Sequence, residues 1–339
     1  MTTSPDFANK RWVVKPRINQ EQSEALHEYD PILRQLLVNR GYKSTEEARH
    51  YLEARPPLNS DPFQMLGMGK AVERILHAIT NNEKMAVYGD YDVDGVTATT
   101  LLTIAIQAMG GDIKPYIPNR FEEGYGLNKS ALEELKDGGM SLVITVDNGI
   151  RSLQEVAFAR QIGLDLIITD HHQPKDEMPD ALAVIDPKQP FDPYPDKNLS
   201  GVGLAYKLVE ALSTKRAGVV LESYLDLVAL GTVADVVPLT GENRYLVRRG
   251  LEHLRTPNRQ GVLSLMGVAG LIDERSLRPK RISTMHIGYM LAPRINAAGR
   301  LESALDALNL LMTDDFMEAG RLAQQLNLQN KQRQELTKT

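Results

Sequence analysis

Apolar residues in the central half of the chain come in short blocks that stop abruptly at a polar residue. Five such blocks lie at 84–88, 112–117, 141–146, 165–169 and 182–186, each of strand length. Between them the apolar spacing becomes helical, near 94–109, 128–137, 151–162 and 202–214. This alternation predicts an α/β fold, a parallel sheet with right-handed crossovers and flanking helices.

The flanks read differently. Residues 1–82 are expected to be mostly helical after a short Trp12-Val-Val-Lys15 segment, and to pack on the core. Ser44-Thr-Glu-Glu47 has the form of a capping box. Pro56-Pro57 and Asp61-Pro62 break the chain before a helix near Met68 to Ile79. Helical character returns from Arg244 to Ala298. Beyond Arg321 there is neither Gly nor Pro, and Leu322, Leu326 and Leu328 carry the apolar character. One long helix is expected there, capped near Thr313-Asp-Asp315. A terminal helix of that length needs a partner surface, in a further domain or a second copy. The expected divisions are 1–82, a core domain at 83–312 (parallel α/β to 240, helical from 241), and a long connector helix at 313–339.

Of the 339 residues, 42% are hydrophobic and 24% charged, which fits a packed globular chain. A net charge of -5 excludes a generally basic coat, so nucleic-acid binding would need a local basic strip. Between Arg244 and Arg281, bases outnumber acids: Arg248, Arg249, Arg255, Arg259, Arg275, Arg278, Lys280 and Arg281. A phosphate track and scattered surface arginines weigh equally there. The absence of cysteine excludes disulfides, thiolate metal sites and cysteine nucleophiles, and fits a reducing cytosol. No secretory leader and no apolar run near membrane-spanning length is evident, so a cytoplasmic protein without membrane contact is expected.

The chemistry lies where the strand-like blocks end. Met85-Ala-Val-Tyr88 runs into Gly89-Asp90-Tyr-Asp92-Val-Asp94-Gly95. Leu142-Val-Ile-Thr-Val146 runs into Asp147-Asn-Gly149, and Leu166-Ile-Ile-Thr169 into Asp170-His171-His172. A parallel sheet gathers such ends at one edge. Clustered carboxylates repel one another unless a cation neutralises them, and oxygen ligands with imidazole suit Mn²⁺ or Mg²⁺. Each motif has a plainer reading: Asp94 as a helix cap, Asn-Gly as a tight turn, histidines as satisfied surface groups. Adjacent histidines cannot point the same way along a strand, so His171 and His172 are expected to differ in role, with Asp170 fixing an imidazole tautomer. Asp235 lies in an apolar stretch, Val228 to Leu239, where an unpaired carboxylate is costly. Ser200-Gly-Val-Gly203 could offer backbone N–H groups at a helix start.

Together, Gly89-Asp-Tyr-Asp-Val-Asp-Gly95, Val146-Asp-Asn-Gly149, Asp170-His-His172 and Gly231-Thr-Val-Ala-Asp-Val-Val-Pro238 resemble the successive motifs of the DHH superfamily of phosphoesterases. Within it they are similar to the RecJ-type single-strand-specific 5′→3′ exonucleases. The likeness extends through Pro118 to Gly126, Leu199 to Gly203 and Pro293 to Arg300. It implies that 83–312 is a DHH catalytic domain holding two Mn²⁺ or Mg²⁺ ions. Asp92 and Asp94 would each bind one, Asp147 would bridge them, and His171 and Asp235 would complete the shell. Some relatives carry a histidine where this chain has Tyr88, which brings Asp90 in as a further metal candidate. His172 would contact the scissile phosphate; Arg120, Tyr125, Arg294, Asn296 and Arg300 would contact the strand. The implied activity is release of 5′-mononucleotides from single-stranded DNA in repair and recombination, with single-strand-binding protein and other repair proteins as partners. RecJ-type proteins continue into DHH-associated and OB domains, and no Gly-rich His motif of that kind is present. Two alternatives stay open: a DHH phosphodiesterase for short oligonucleotides or cyclic dinucleotides, and a non-catalytic DNA-binding scaffold. Manganese pyrophosphatase fits the metal chemistry alone.

Overall fold

The computed structural model describes residues 13–119, 124, 126–273, 275–276, 278–301 and 304–336, with the side chains of Arg300 and Leu301 left aside. The chain divides into two compact units, Met1–Arg55 and Pro56–Thr339. The first holds α1 (Gln20–Ala25), α2 (Pro31–Asn39) and α3 (Thr45–Glu53). Leu26, Leu37 and Ala48 form its core, and the rings of Tyr42 and Tyr51 stack with centroids 4.4 Å apart. Ser44 and Glu47 form the expected capping box of α3.

In the second unit the order is α4 (Met68–Thr80), β1 (Lys84–Tyr88), α5 (Val93–Ala108), β2 (Asp112–Tyr116), α6 (Lys129–Asp137), β3 (Leu142–Val146), α7 (Leu153–Gln161), β4 (Asp165–Thr169), β5 (Ala183–Ile185) and α8 (Gly201–Ser213). Then come α9 (Leu225–Ala234), α10 (Gly241–His253), α11 (Gln260–Val268), α12 (Thr284–His286), a π-helical turn at Ile287–Leu291, α13 (Ala292–Leu301), α14 (Leu305–Met312) and α15 (Phe316–Leu336). All strand pairs are parallel, in the order β2-β1-β3-β4-β5. This is the α/β sheet flanked by helices that the alternation predicts. α4, which composition groups with the N-terminal segment, lies in this unit, where Arg74 pairs with Asp165 at 2.7 Å and Glu83 at 2.6 Å.

Both sheet faces are covered, which makes the strands read as continuous apolar blocks. Met85, Val87, Ile144 and Ile167 face one core with α5 and α8. Ala86, Val143, Leu166 and Ile168 face the other with α6 and α7. α5 is buried from Val93 through Thr103, threonines included. For three of them the cost is offset internally: Thr97, Thr99 and Thr100 donate to the carbonyls of Val93, Gly95 and Val96 at 2.7–2.8 Å, while the Thr103 hydroxyl has no partner among the described residues.

The chain leaves β1 for β2 at one side, then returns to β3 on the other. The C-terminal ends of β1 and β3 therefore flank the point where strand order reverses, the usual ligand crevice of a doubly wound sheet. α15 finds much of its partner surface in its own chain: Ala319, Leu322, Ala323 and Leu326 are buried against α11, α13 and α14. Among the described residues no helix is long and apolar enough to cross a membrane.

Candidate metal centre

Asp90, Asp92 and Asp94 follow β1, Asp147 follows β3, His171 and His172 follow β4, and Asp235 ends α9. The fold brings these seven together. Their ligand atoms form three groups, each within 4.8 Å: Asp147 with His171 and His172, Asp94 with His171 and Asp235, and Asp90 with Asp92 and Asp147. Asp147 and His171 each belong to two of them.

His171 Nε2 is the hub. It lies 3.0 Å from Asp147 Oδ1, 3.6 Å from Asp235 Oδ2 and 3.8 Å from Asp94 Oδ2. Burial, with His172 alongside, lowers its pKa to about 4, so at neutral pH it is an uncharged imidazole able to ligate a metal. Its Nδ1 is buried with no hydrogen-bond partner among the described residues.

The acids are in opposite difficulty. Asp94 and Asp147 are 1% and 2% exposed. Burial first, then the neighbouring carboxylates, pushes both well above the usual carboxylate range. Asp235 rises to about 6, from burial and from the Asp92 charge. It also caps the C-terminus of α9, where the helix dipole disfavours an anion. No Lys or Arg among the described residues lies within ion-pair distance of Asp92, Asp94, Asp147 or Asp235.

Local structure aims these groups. Asp92 is the N-cap of α5, its Oδ1 accepting from the Gly95 amide at 3.0 Å, so capping and clustering fall to one residue. Asp94, one turn in, is gripped from across the core: Oδ2 accepts from Gly201 N at 2.6 Å and Oδ1 from Val202 N at 2.9 Å. The amide groups at the start of α8 thus hold a carboxylate of the chain itself. Only glycine fits at 201, since a Cβ would stand 2.7 Å from Asp147 Cβ. Asp147 takes φ +61°, a left-handed conformation, directly after β3. The chain bends at Asp147 and the carboxylate still joins the cluster.

The two histidines divide as expected. His172 turns its Nδ1 to Asp170 Oδ1 at 2.7 Å and remains 39% exposed. Asp170 therefore fixes the tautomer of His172, not that of the metal candidate His171. Burial would raise the Asp170 carboxyl, but hydrogen bonds from His172 and from the Ile150 amide outweigh it and the net shift is downward. His172 is raised in turn, chiefly by its bond to Asp170. Its ring borders a cleft of about 360 Å³ lined also by Leu127, Ile150, Arg151 and Ser152.

The remaining candidates are less uniform. Asn296 is at the site: its Oδ1 accepts from the Val93 amide, between Asp92 and Asp94, at 3.2 Å. Arg294 is engaged elsewhere, with Nε donating to Asn327 Oδ1 at 3.0 Å and Nη1 to the Met290 carbonyl. Arg300 lies in α13, its side chain outside the description, and Arg120 and Tyr125 lie outside the described residues. Tyr88, at the position of the relatives' histidine, points away: its hydroxyl donates to the Gly126 carbonyl at 3.0 Å. Two neighbours escaped the sequence reading. Asp186 is buried immediately after β5, raised to about 7 by burial, and Lys188 donates to the His171 carbonyl. Asp186 carries the same strand-then-acid pattern as the other sites and was legible by that rule.

Comparison with known proteins gives a consistent set. Residues 84–232 match the family model described as DHH family, N-terminal domain. The single-stranded-DNA-specific exonuclease RecJ of Bacillus subtilis is 44% identical over 330 residues, covering 96% of this chain and 40% of that protein. A crystal structure of exonuclease RecJ bound to manganese superposes with TM-score 0.72 at 36% identity, covering 80% of this chain and 67% of the other. RecJ of Thermus thermophilus in complex with Mn²⁺ gives TM-score 0.78 at 33% identity, over 94% of this chain and 44% of that one. The chain spans about half the length of the curated relatives it matches, 40% to 56% for three of them.

Proposed function

Because the chain belongs to the DHH family, among its RecJ-type members, we propose that it is the core of a metal-dependent nuclease that degrades single-stranded DNA from the 5′ end to 5′-mononucleotides. One observation carries this reading. Buried carboxylates converge on a neutral imidazole, and no lysine or arginine among the described residues pairs with Asp92, Asp94, Asp147 or Asp235. Such a cluster is relieved by protons in the metal-free protein and, at neutral pH, stabilised by cations supplied from outside. The donor set, carboxylate oxygens and one imidazole nitrogen, fits Mn²⁺ or Mg²⁺.

On this reading Asp90, Asp92, Asp94, Asp147, His171 and Asp235 would hold two ions, with Asp147 and His171 the residues common to two of the three ligand groups. When bound, the ions acidify water and offset the charge of the phosphate. The chain's own residues do the rest. The α8 amides fix the Asp94 carboxylate, so ligand geometry is set before substrate arrives. Asp170 holds His172 by Nδ1, which leaves Nε2 to donate to a phosphate oxygen. Asn296 fastens the helix beyond the π turn to the Asp92–Asp94 loop. Arg120, Tyr125, Arg294 and Arg300 remain proposed strand contacts, residues 83–312 the proposed catalytic domain, and single-strand-binding protein a proposed partner.

The test offers three substrates with Mn²⁺: 3′-labelled single-stranded DNA bearing a 5′-phosphate, the matching blunt duplex, and a dinucleotide. Progressive shortening of the single strand alone, with mononucleotide product, is expected. Cleavage of the dinucleotide alone would replace the proposal with a small-substrate phosphodiesterase. Metal binding without cleavage of any substrate would leave a scaffold.

A further inference from the structure

Five non-glycine residues among those described have positive φ: Ala54, Asn82, Asp147, Phe191 and Val236. Val236, at φ +64°, is the one with a branched β-carbon, for which the left-handed region is a true outlier. It follows Asp235, the residue that caps the C-terminus of α9. That place after a helix commonly falls to glycine, which takes the same turn without strain. Packing of the side chain can offset such strain. Here it does not, since Val236 is 84% exposed. The valine costs the fold twice, in backbone strain and in apolar surface left in water, and no burial compensates. A residue that local stability does not account for, one peptide bond from a candidate metal ligand, calls for a role toward something outside the chain.

Its position narrows what that is. Asp94, Asp147 and His171 are buried, whereas Asp92, Asp235 and His172 are each partly open to solvent. The mouth of the cluster therefore lies on the side of these partly open residues, and a substrate reaches the buried ligands past them. Val236 stands beside Asp235, its Cα about 3.8 Å from that of the ligand. A phosphodiester held over the cluster is bonded directly to two sugars, while the bases lie a glycosidic bond farther off. An apolar side chain next to the ligand thus meets a sugar before it meets a base. In removal from the 5′ end, the 3′ oxygen that leaves belongs to the terminal nucleotide, and carbon 2′ is bonded to the carbon bearing it. In DNA that carbon 2′ is a methylene, which an isopropyl group covers favourably. In RNA it bears a hydroxyl, whose hydrogen bonds to water would be lost against the same group.

We propose that Val236 is a sugar-specificity residue: its isopropyl group packs on the 2′ methylene of the 5′-terminal nucleotide and disfavours a ribose there. The proposal rests on the nuclease reading above and adds to it the feature by which the site tells deoxyribose from ribose. An apolar pocket rejects an added hydroxyl by about 100-fold. A single side chain that leaves part of the sugar in water should reach about tenfold.

The test uses the full chain with Mn²⁺ and two 5′-phosphorylated strands, oligo-deoxythymidine and the same strand with ribothymidine at its 5′-terminal residue alone. The two differ by a single oxygen atom. Wild type should remove the deoxy terminus with a kcat/KM about tenfold higher. Val236→Thr keeps the size, the branching and the backbone strain, and exchanges a methyl for a hydroxyl that can pair with the 2′-OH. It should bring the ratio to within about twofold. Val236→Gly should also abolish the preference, and the metal-free variant should melt no lower than wild type, because the strain goes with the side chain. A second readout needs no turnover: calorimetric binding of the two products, deoxythymidine 5′-monophosphate and its ribo counterpart, should show the same preference in wild type and none in Val236→Thr. A Val236-dependent preference in product binding without cleavage of either strand would keep the sugar contact and sink the nuclease reading. Cleavage with a ratio that Val236→Thr leaves unchanged would keep the nuclease and sink the contact. Equal losses on both strands in Val236→Gly, with Val236→Thr like wild type, would assign Val236 to stiffening the turn that carries Asp235 and overturn the contact. A lower melting temperature for metal-free Val236→Gly would show that the valine serves the fold, and would overturn it too.

Discussion

Two clusters of buried ionisable groups in the second unit are treated in opposite ways. Lys207 is 1% exposed on α8, with Glu242 at 3.0 Å, Glu210 at 2.5 Å and the Ser60 carbonyl at 2.5 Å. Tyr194 donates its hydroxyl to Glu242. That cluster balances itself: an ammonium, two carboxylates and the donors to satisfy them. The cluster of Asp94, Asp147, His171 and Asp235 holds carboxylates and a neutral ring, and its nearest backbone donors are already spent on Asp94. Burial alone does not mark a functional site, since both places are buried. What separates them is whether the chain supplies the counter-charge.

The contrast can be broken from either side. Lys207→Met should cost the most, roughly 3–5 kcal/mol of folding stability, because it strands Glu242 inside the core. The removal should be partly reversed by adding Glu242→Leu, and metal-dependent turnover per folded molecule should be unchanged; thermal denaturation with an activity assay reads both. Asp147→Ala should do the reverse. Turnover should fall by at least about 100-fold, the upper range for losing a residue that merely orients a ligand, while the metal-free protein becomes more stable. A metal-free variant less stable than wild type would remove the argument that the cluster is uncompensated.

Gly201→Ala tests the geometry of the cluster rather than its charge. The added methyl meets Asp147 and Asp94, an overpacking that should cost about 1–3 kcal/mol and weaken Mn²⁺ binding measured by calorimetry. The smallest effect expected is that of pH. The folded-state pKa of Asp235, about 6, lies above its usual value of 3.8. Its contribution to the stability of the metal-free protein is therefore present below pH 4 and lost as pH rises through 6. Protons and cations compete for the same oxygens, so Mn²⁺ affinity should fall as pH drops through 6. Melting curves with and without Mn²⁺ should diverge above that pH, and parallel curves would count against Asp235 as a ligand.

Much of this was legible in the sequence because it is local. Period and block length located all five strands to within a residue or two, and an acid after a strand marked Asp90, Asp147 and Asp170 in turn. What escaped depends on contacts between distant positions. Asp94 is held by amides 107 and 108 residues away, and nothing near either partner announces it. Nothing in the sequence around Lys207 or Glu242 shows that the fold encloses them. The π turn leaves the apolar pattern of its helix almost unchanged, so periodicity could not show it. Asp186 is the exception, since the rule that located its neighbours applied to it equally.

Asp147 takes a left-handed backbone conformation that glycine adopts at little cost and that aspartate and asparagine adopt more readily than most other residues, though not without strain. Strain of that kind amounts to about 1–3 kcal/mol per residue. A library selected for heat resistance alone, without Mn²⁺, would be drawn to glycine or asparagine at 147, since each relieves the buried charge and glycine the strain as well. Its survivors would be hardier proteins that no longer bind the ion. Heat selection meant to preserve the site has to be run with the cation present, where the aspartate is the residue that stabilises.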